Sequence, residues 1–264
     1  MKYLKQKAEC LRKETIRFHG KAPGTRLASS LSDVEIFTCL YYGGILNFKS
    51  DEPHWDNRDR LIVSKAHGAI SLCILLAELG FFNLKTLYQA GSQIGDIPDC
   101  SIPGIEINGG SLGHGLGIGV GMALGLRAKK NPAIVVVIMG DGELYEGAVW
   151  ESIMFAGHHR LNNLFLILDN NQMSMLDYCK NTIDLEPLEK IFELFQWDTV
   201  RVDGHDINAL LPVLRSMKHH TACKPKAIIA ETVKGKGVKQ LEGNPLCHII
   251  SLSHDDVDNY LMST

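Results

Sequence analysis

The run AIVVVIM at 133–139, followed by GDGELYEG at 140–147, decides how this chain is read. An unbroken apolar run without polar alternation describes a strand covered on both faces, as in parallel sheets packed between helices. An acidic residue between two glycines then stands at the strand's carboxyl end. A bare carboxylate is costly to bury there, so Asp141 should have a cation or a set of hydrogen-bond donors as its partner.

The same pattern recurs in LFLILD (164–169) and KAIIAET (226–232), with helical periodicity between the runs. Shorter strands are expected at 60–64 and 197–202. Helices are expected over 1–19, 32–43, 67–80, 146–158, 186–196 and 206–219. A loop rich in Gly, Pro, Ser and Asp covers 91–111 and leads into a glycine-studded segment ending near 128. The expected fold class is α/β, a three-layer single domain over 1–264 with a mostly parallel sheet between helices. In open α/β sheets ligands sit beyond the carboxyl ends of the strands, where GDGE and DNNQ both fall.

Composition narrows the function. The 264 residues are 45% hydrophobic and 22% charged, and 27 basic against 30 acidic residues leave −3, which gives no reason to expect nucleic acid or an anionic membrane as partner. The least polar stretch, 112–126, is too short and too rich in glycine to span a bilayer. The amphipathic N-terminus MKYLKQKAECLRKETIRF lacks the apolar core of a signal peptide. Seven scattered cysteines with no C-x-x-C pair suggest reduced thiols, and a cytoplasmic location is expected.

Asp141 and Asn171 lie thirty residues apart at the ends of successive strands. A carboxylate and an amide oxygen with no His or Cys suit Mg²⁺, which takes further oxygens from phosphates and water. The flanking glycines let a phosphate approach the backbone, and the N-terminus of helix 146–158 points the same way. Alone, Asp141 would read as a helix N-cap and Asn171 as a turn residue. Placed together on adjacent strands, they specify more.

The pair resembles the thiamine-diphosphate fingerprint, and the chain resembles the N-terminal, diphosphate-binding subunit of a split transketolase. The likeness runs from about residue 24 to 250, through DRLIVSKAHGAISLCILLAELG, PGIEINGGSLGHGLGIGVGMALG, GDGELYEGAVWESIMFAGHHRLNNLFLILDNNQ, VDGHD and ETVKGKGV. It implies thiamine diphosphate with Mg²⁺, or Ca²⁺ or Mn²⁺ in its place. Asp141, the Asn171 side chain and the Met173 carbonyl would hold the metal, and Gly142 would give its N–H to the diphosphate. His67 would touch the diphosphate end, and Gly110 and Leu112 the thiazolium and pyrimidine rings. His248 would lie near both the diphosphate and the reacting carbon. Glu146 and Glu151 match glutamates that couple two active sites across an interface, although as residues they are surface helix acids. His114 is expected to be structural.

The resemblance also implies a missing half. The glutamate that activates the aminopyrimidine belongs to a pyrimidine-binding domain, expected on a separate C-terminal subunit in an α2β2 assembly. The glycines at 113, 115, 117, 119, 121 and 125 fit no G-x-G-x-x-G register. Packing against another helix would explain them, and this segment is the first candidate for the subunit contact.

Two positions depart from the family pattern. TRLASSLS (25–32) puts Arg26 and Ala28 where family members carry a substrate histidine and a glycine. GDIPDC (95–100) puts Ile97 or Asp96 where a second histidine is usual. Arg26 could clamp a carboxylate or phosphate, or be a solvated loop residue. The leading expectation is a transferase moving a two-carbon ketol unit from a ketose to an aldehyde. Decarboxylating transfer from a pyruvate-like 2-oxo acid is the alternative. An E1 subunit of a 2-oxo acid dehydrogenase and an inactive scaffold subunit remain further readings.

Overall fold

The computed structural model describes residues 1–88, 97–218 and 223–263. Five strands, β1 (Arg60–Val63), β2 (Val135–Gly140), β3 (Leu164–Asn170), β4 (Asp198–Asp203) and β5 (Lys226–Glu231), form one sheet in the order β1-β2-β3-β5-β4. All four ladders are parallel. In chain order the helices are α1 (Lys2–Lys21), α2 (Leu27–Leu31), α3 (Val34–Tyr41), α4 (Ile70–Glu78), α5 (His114–Ala128), α6 (Gly147–His158), α7 (Cys179–Thr182), α8 (Leu188–Leu194), α9 (Ile207–Lys218) and α10 (His254–Ser263).

The unbroken apolar strands are explained by two cores. On β2, Val136 and Ile138 face a core built with α1, α3, α4 and α9, while Val135, Val137 and Met139 face one built with α5, α6 and α8. Side chains alternate across the sheet, so a strand covered on both faces must be apolar at every position.

Residues 27–31 carry no helical signal in the sequence, yet they form α2, and all five are buried. Serine is a poor helix former because its hydroxyl competes for backbone groups. Here Ser30 Oγ donates to the Arg26 carbonyl at 3.2 Å and Ser32 Oγ to that of Ser29 at 3.1 Å, so both hydroxyls are satisfied in place. Arg26 is half-buried at the N-cap of this helix.

The glycines of α5 correct one expectation. Packing against another helix accounts for only some of them: the two buried within α5, Gly115 and Gly119, approach the sheet layer. A Cβ on Gly115 would stand 2.8 Å from Ser64 Cα, and one on Gly119 2.6 Å from Val137 Cγ2. Gly113 and Gly117 face α6 and the residue before it, meeting Glu146 and Ser152, while a Cβ on Gly121 or Gly125 would meet nothing within 4 Å outside its own helix turn among the described residues. Close packing therefore accounts for four of the six glycines and leaves the last two unexplained by any neighbour among the described residues. Ile118 on α5, with Met154 and Phe155 on α6, is an exposed apolar residue.

Candidate active site

The parallel register sets Gly140 beside Asp169, so the β2 and β3 carboxyl ends open side by side. Beyond them lies a cavity of about 370 Å³. Its lining brings together His67, Gly110, Leu112, Asp141, Gly142, Glu146, Asn171, Met173 and His248, residues drawn from separate stretches of chain. Glu151 is not in this lining; it is exposed on α6. His114, the first residue of α5, is also exposed. Ile97 lies at the rim, its Cδ1 3.5 Å from where a Gly110 Cβ would stand, whereas Asp96 lies outside the described residues.

Asp141 is 5% exposed and opens a 3-10 turn (Asp141–Tyr145) between β2 and α6. Its partners are backbone donors: Gly142 N–H at 2.8 Å and the N–H of Gln172, whose φ of 60° is unusual for a residue other than glycine. Gly142 therefore presents its N–H to Asp141 in this structure. Burial, and the negative Asp169 nearby, push the Asp141 carboxyl up to about 7 against the help of those donors. A cation beside a carboxylate so poorly compensated would offset the cost of its burial.

Asn171 Oδ1 accepts the Met173 N–H at 3.1 Å, and Asn171 Nδ2 donates to Asp169 Oδ2 at 3.0 Å. Together with Asp141 they offer hard oxygens of low total charge. Among the described residues no three His, Cys, Asp or Glu side chains converge as a metal site. The oxygen set suits Mg²⁺, Ca²⁺ or Mn²⁺ and not zinc.

The two histidines are neutral. Burial drives His67 down to about 3, with the charges of Lys65, Lys234 and Arg26 and the nearby His248 adding to it; burial drives His248 down to about 4, with Lys234 and Arg26 adding to it. Their rings meet edge to face at 5.1 Å, and among the described residues the buried His248 Nδ1 has no hydrogen-bond partner. A neutral ring with an unused nitrogen can accept a proton or a hydrogen bond from a bound molecule.

Sequence reasoning gave no role to three buried groups here. Lys234 is 5% exposed, lines the cavity and donates to the Ser174 carbonyl at 3.1 Å; burial lowers its pKa. Glu143 takes N–H groups from Gly113 (2.7 Å) and Gly140 (3.0 Å) and the Ser64 hydroxyl, tying the ends of β1 and β2 to the glycine segment. Lys65 sits between Asp33, 2.7 Å away, and Asp169. Burial alone would depress this lysine, but the two carboxylates hold it above the usual range, while Asp33 itself is pushed up to about 8 by burial. The lysines lay in plain view in SKAH and VKGKG. A lysine inside an otherwise apolar or glycine-rich stretch was the available signal.

Fold and site together define a diphosphate-binding domain of a thiamine-diphosphate enzyme. The family pattern "Transketolase, thiamine diphosphate binding domain" matches residues 17–262, so the chain belongs to the transketolase family and is part of a thiamine-diphosphate-dependent transferase. It is 34% identical to the 6-deoxy-6-sulfo-D-fructose transketolase subunit SqwG of Clostridium sp. (strain MSTE9), across 96% of this chain and 92% of that protein. It is likewise 34% identical to a subunit of the apulose-4-phosphate transketolase of Phocaeicola vulgatus, across 91% and 86%. The Campylobacter jejuni transketolase crystal structure superposes with a TM-score of 0.86 at 27% identity, covering 98% of this chain but 46% of that one. The chain thus spans less than half of that solved transketolase chain, while matching the named subunits nearly end to end.

Proposed function

We propose that this chain is the diphosphate-binding subunit of a split transketolase, moving a two-carbon ketol unit from a ketose to an aldehyde. The observation that carries this is the single cavity joining Asp141, Asn171 and Met173 to the neutral His67–His248 pair and Lys234. Asp141, the Asn171 side-chain oxygen and the Met173 carbonyl would hold a divalent cation, normally Mg²⁺, which would supply positive charge for the diphosphate. Gly142, through its N–H, with His67 and Lys234 would bind the diphosphate itself. Gly110 and Leu112 flank the rings. Bound thiamine diphosphate supplies the nucleophilic carbon and the electron sink. His248, neutral and with Nδ1 unused, holds or accepts a proton beside the reacting carbon.

A pyrimidine-binding partner subunit supplies the activating glutamate, in an α2β2 complex. The support is that relatives matched along nearly their whole length are named as subunits. Glu146, at the cavity, and Glu151, exposed on α6 beside Met154 and Phe155, face the partner and couple paired sites. Seven free cysteines support a cytoplasmic location for the complex. No described helix is long and apolar enough to cross a membrane.

Arg26 reads an anionic group on the substrate. Its charge reaches both site histidines, and its guanidinium makes no hydrogen bond or ion pair among the described residues. The same observation favours a second reading, in which the donor is a pyruvate-like 2-oxo acid whose carboxylate Arg26 clamps. The test is activity of the complex with each donor. Aldehyde-dependent consumption of a ketose phosphate without CO2 supports ketol transfer, with Arg26→Ala raising KM more than it lowers kcat. CO2 release from pyruvate supports the second reading, and neither activity contradicts both.

A further inference from the structure

Asn171 faces a difficulty created by its own chemistry. A carboxamide has an oxygen and an NH2 group of nearly equal size, and only the oxygen can ligate a cation. Some acceptor must hold the nitrogen end away. Asn171 Nδ2 donates to Asp169 Oδ2 at 3.0 Å while Oδ1, at the other end, accepts the Met173 N–H at 3.1 Å. The reverse orientation would set oxygen against carboxylate and NH2 against N–H, two mismatches at once.

Asp169 is equipped for this task. It is fully buried near the end of β3, and its Oδ2 also takes the Ser32 hydroxyl at 2.8 Å and the Lys65 ammonium, while Oδ1 takes the Thr232 hydroxyl. Four donors, the Ser32 and Thr232 hydroxyls, the Lys65 ammonium and the Asn171 amide, thus converge on its two oxygens, which places Asp169 as an acceptor. The first three come from the segments after α2, β1 and β5, so the amide is oriented against the whole sheet rather than its own loop.

We propose that Asp169 is a positioning residue that fixes which end of Asn171 faces the cavity, so that metal affinity depends on an acceptor at its Oδ2 position although Asp169 is not a ligand. This rests on the reading of Asn171 as a metal-binding residue.

The experiment titrates Mn²⁺ with thiamine diphosphate into the subunit complex carrying wild type, Asp169→Asn or Asp169→Ala. Asparagine can keep an oxygen at the Oδ2 position and turn its NH2 toward the Thr232 hydroxyl; alanine keeps neither. Outer-shell partners of metal ligands typically tune affinity 10–100-fold, so Asp169→Ala should lose about that much while Asp169→Asn stays within about threefold. Both weaken the Lys65 cluster, so thermal stability should fall in both. Affinity that tracks stability, or an alanine variant that binds as wild type does, overturns the proposal. A folded wild type that takes up no Mn²⁺ overturns the metal reading itself. Should alanine fail to fold, the Asn171 side-chain NH2 signal in ¹⁵N-asparagine-labelled wild type, assigned by its loss in Asn171→Ser, decides. Protection of that NH2 from exchange is expected both without ligand and with Mg²⁺ and thiamine diphosphate, and exchange at the rate of a free amide refutes the clamp.

Discussion

Replacing Glu143 by alanine removes the acceptor that joins three segments at the rim of the sheet. Glu143 is 2% exposed and accepts the Gly113 and Gly140 N–H groups at 2.7 and 3.0 Å, as well as the Ser64 hydroxyl. The hydroxyl can rotate to another acceptor, whereas the two N–H groups are fixed by the backbone. Each buried donor left without a partner costs about 1–3 kcal/mol, or about 2–6 kcal/mol for the pair. Glu143 also lines the cavity, so water can reach part of the gap, and the lower range of about 2–4 kcal/mol is expected. Glutamine keeps one oxygen but sets its NH2 against a donor, so it should cost about 1–2 kcal/mol. Equilibrium urea unfolding of the full chain, followed by circular dichroism, measures both from the midpoint at constant slope. The order wild type, glutamine, alanine is expected. An alanine variant within about 0.5 kcal/mol of wild type would refute the reasoning that these donors depend on this carboxylate.

The remaining predictions concern protons and glycines. The unfolded chain protonates His67 and His248 near 6.5, the folded chain only near 3 and 4, so the stability each contributes is complete above 6.5 and is lost as pH falls through that window. Asp141 and Asp33, pushed up to about 7 and 8, act in the opposite sense, so the informative quantity is the difference between wild type and His67→Asn. That difference should approach about 1.4 kcal/mol per pH unit between about pH 4 and 6, and a pH-independent difference contradicts the neutral burial of His67. Gly121→Ala and Gly125→Ala should each stabilise the isolated chain by about 0.5–1 kcal/mol, because helix propensity improves and the new Cβ meets no tertiary neighbour within 4 Å among the described residues. Gly119→Ala should destabilise it by about 1–3 kcal/mol, since its Cβ would stand 2.6 Å from the buried Val137. A common sign for all three, in thermal melts, contradicts the placement of α5 on the sheet.

The strands were legible because burial on both faces leaves an unmistakable mark, and AIVVVIM, LFLILD and KAIIAET each end within a residue or two of the observed strands. Asp141 and Asn171 were legible for the same reason, each standing where such a run stops. The Lys65–Asp33–Asp169 cluster was not, because its members meet only through the tertiary fold; Lys65 and Asp169 are 104 residues apart. The apolar setting of Lys65 in RLIVSKAHGAI signals its burial, but no local pattern names Asp33 and Asp169 as its partners. The direction in which α5 packs was hidden as well. Glycine spacing shows that something comes close, but not whether it is sheet or helix. Helix α2 escaped notice because serine is a poor helix former, and the bond from Ser30 Oγ to the Arg26 carbonyl exists only once the helix has formed.

The central claim is that Asp141 holds the cation that holds a diphosphate. The most direct test is calorimetric titration of thiamine diphosphate with Mg²⁺ into this chain co-purified with its pyrimidine-binding partner, for wild type and Asp141→Ala. Saturable, Mg²⁺-dependent binding that disappears in a folded Asp141→Ala is the predicted result. Equal binding by both, or none by either, would contradict it, and the second of these would leave a scaffold in place of an enzyme subunit.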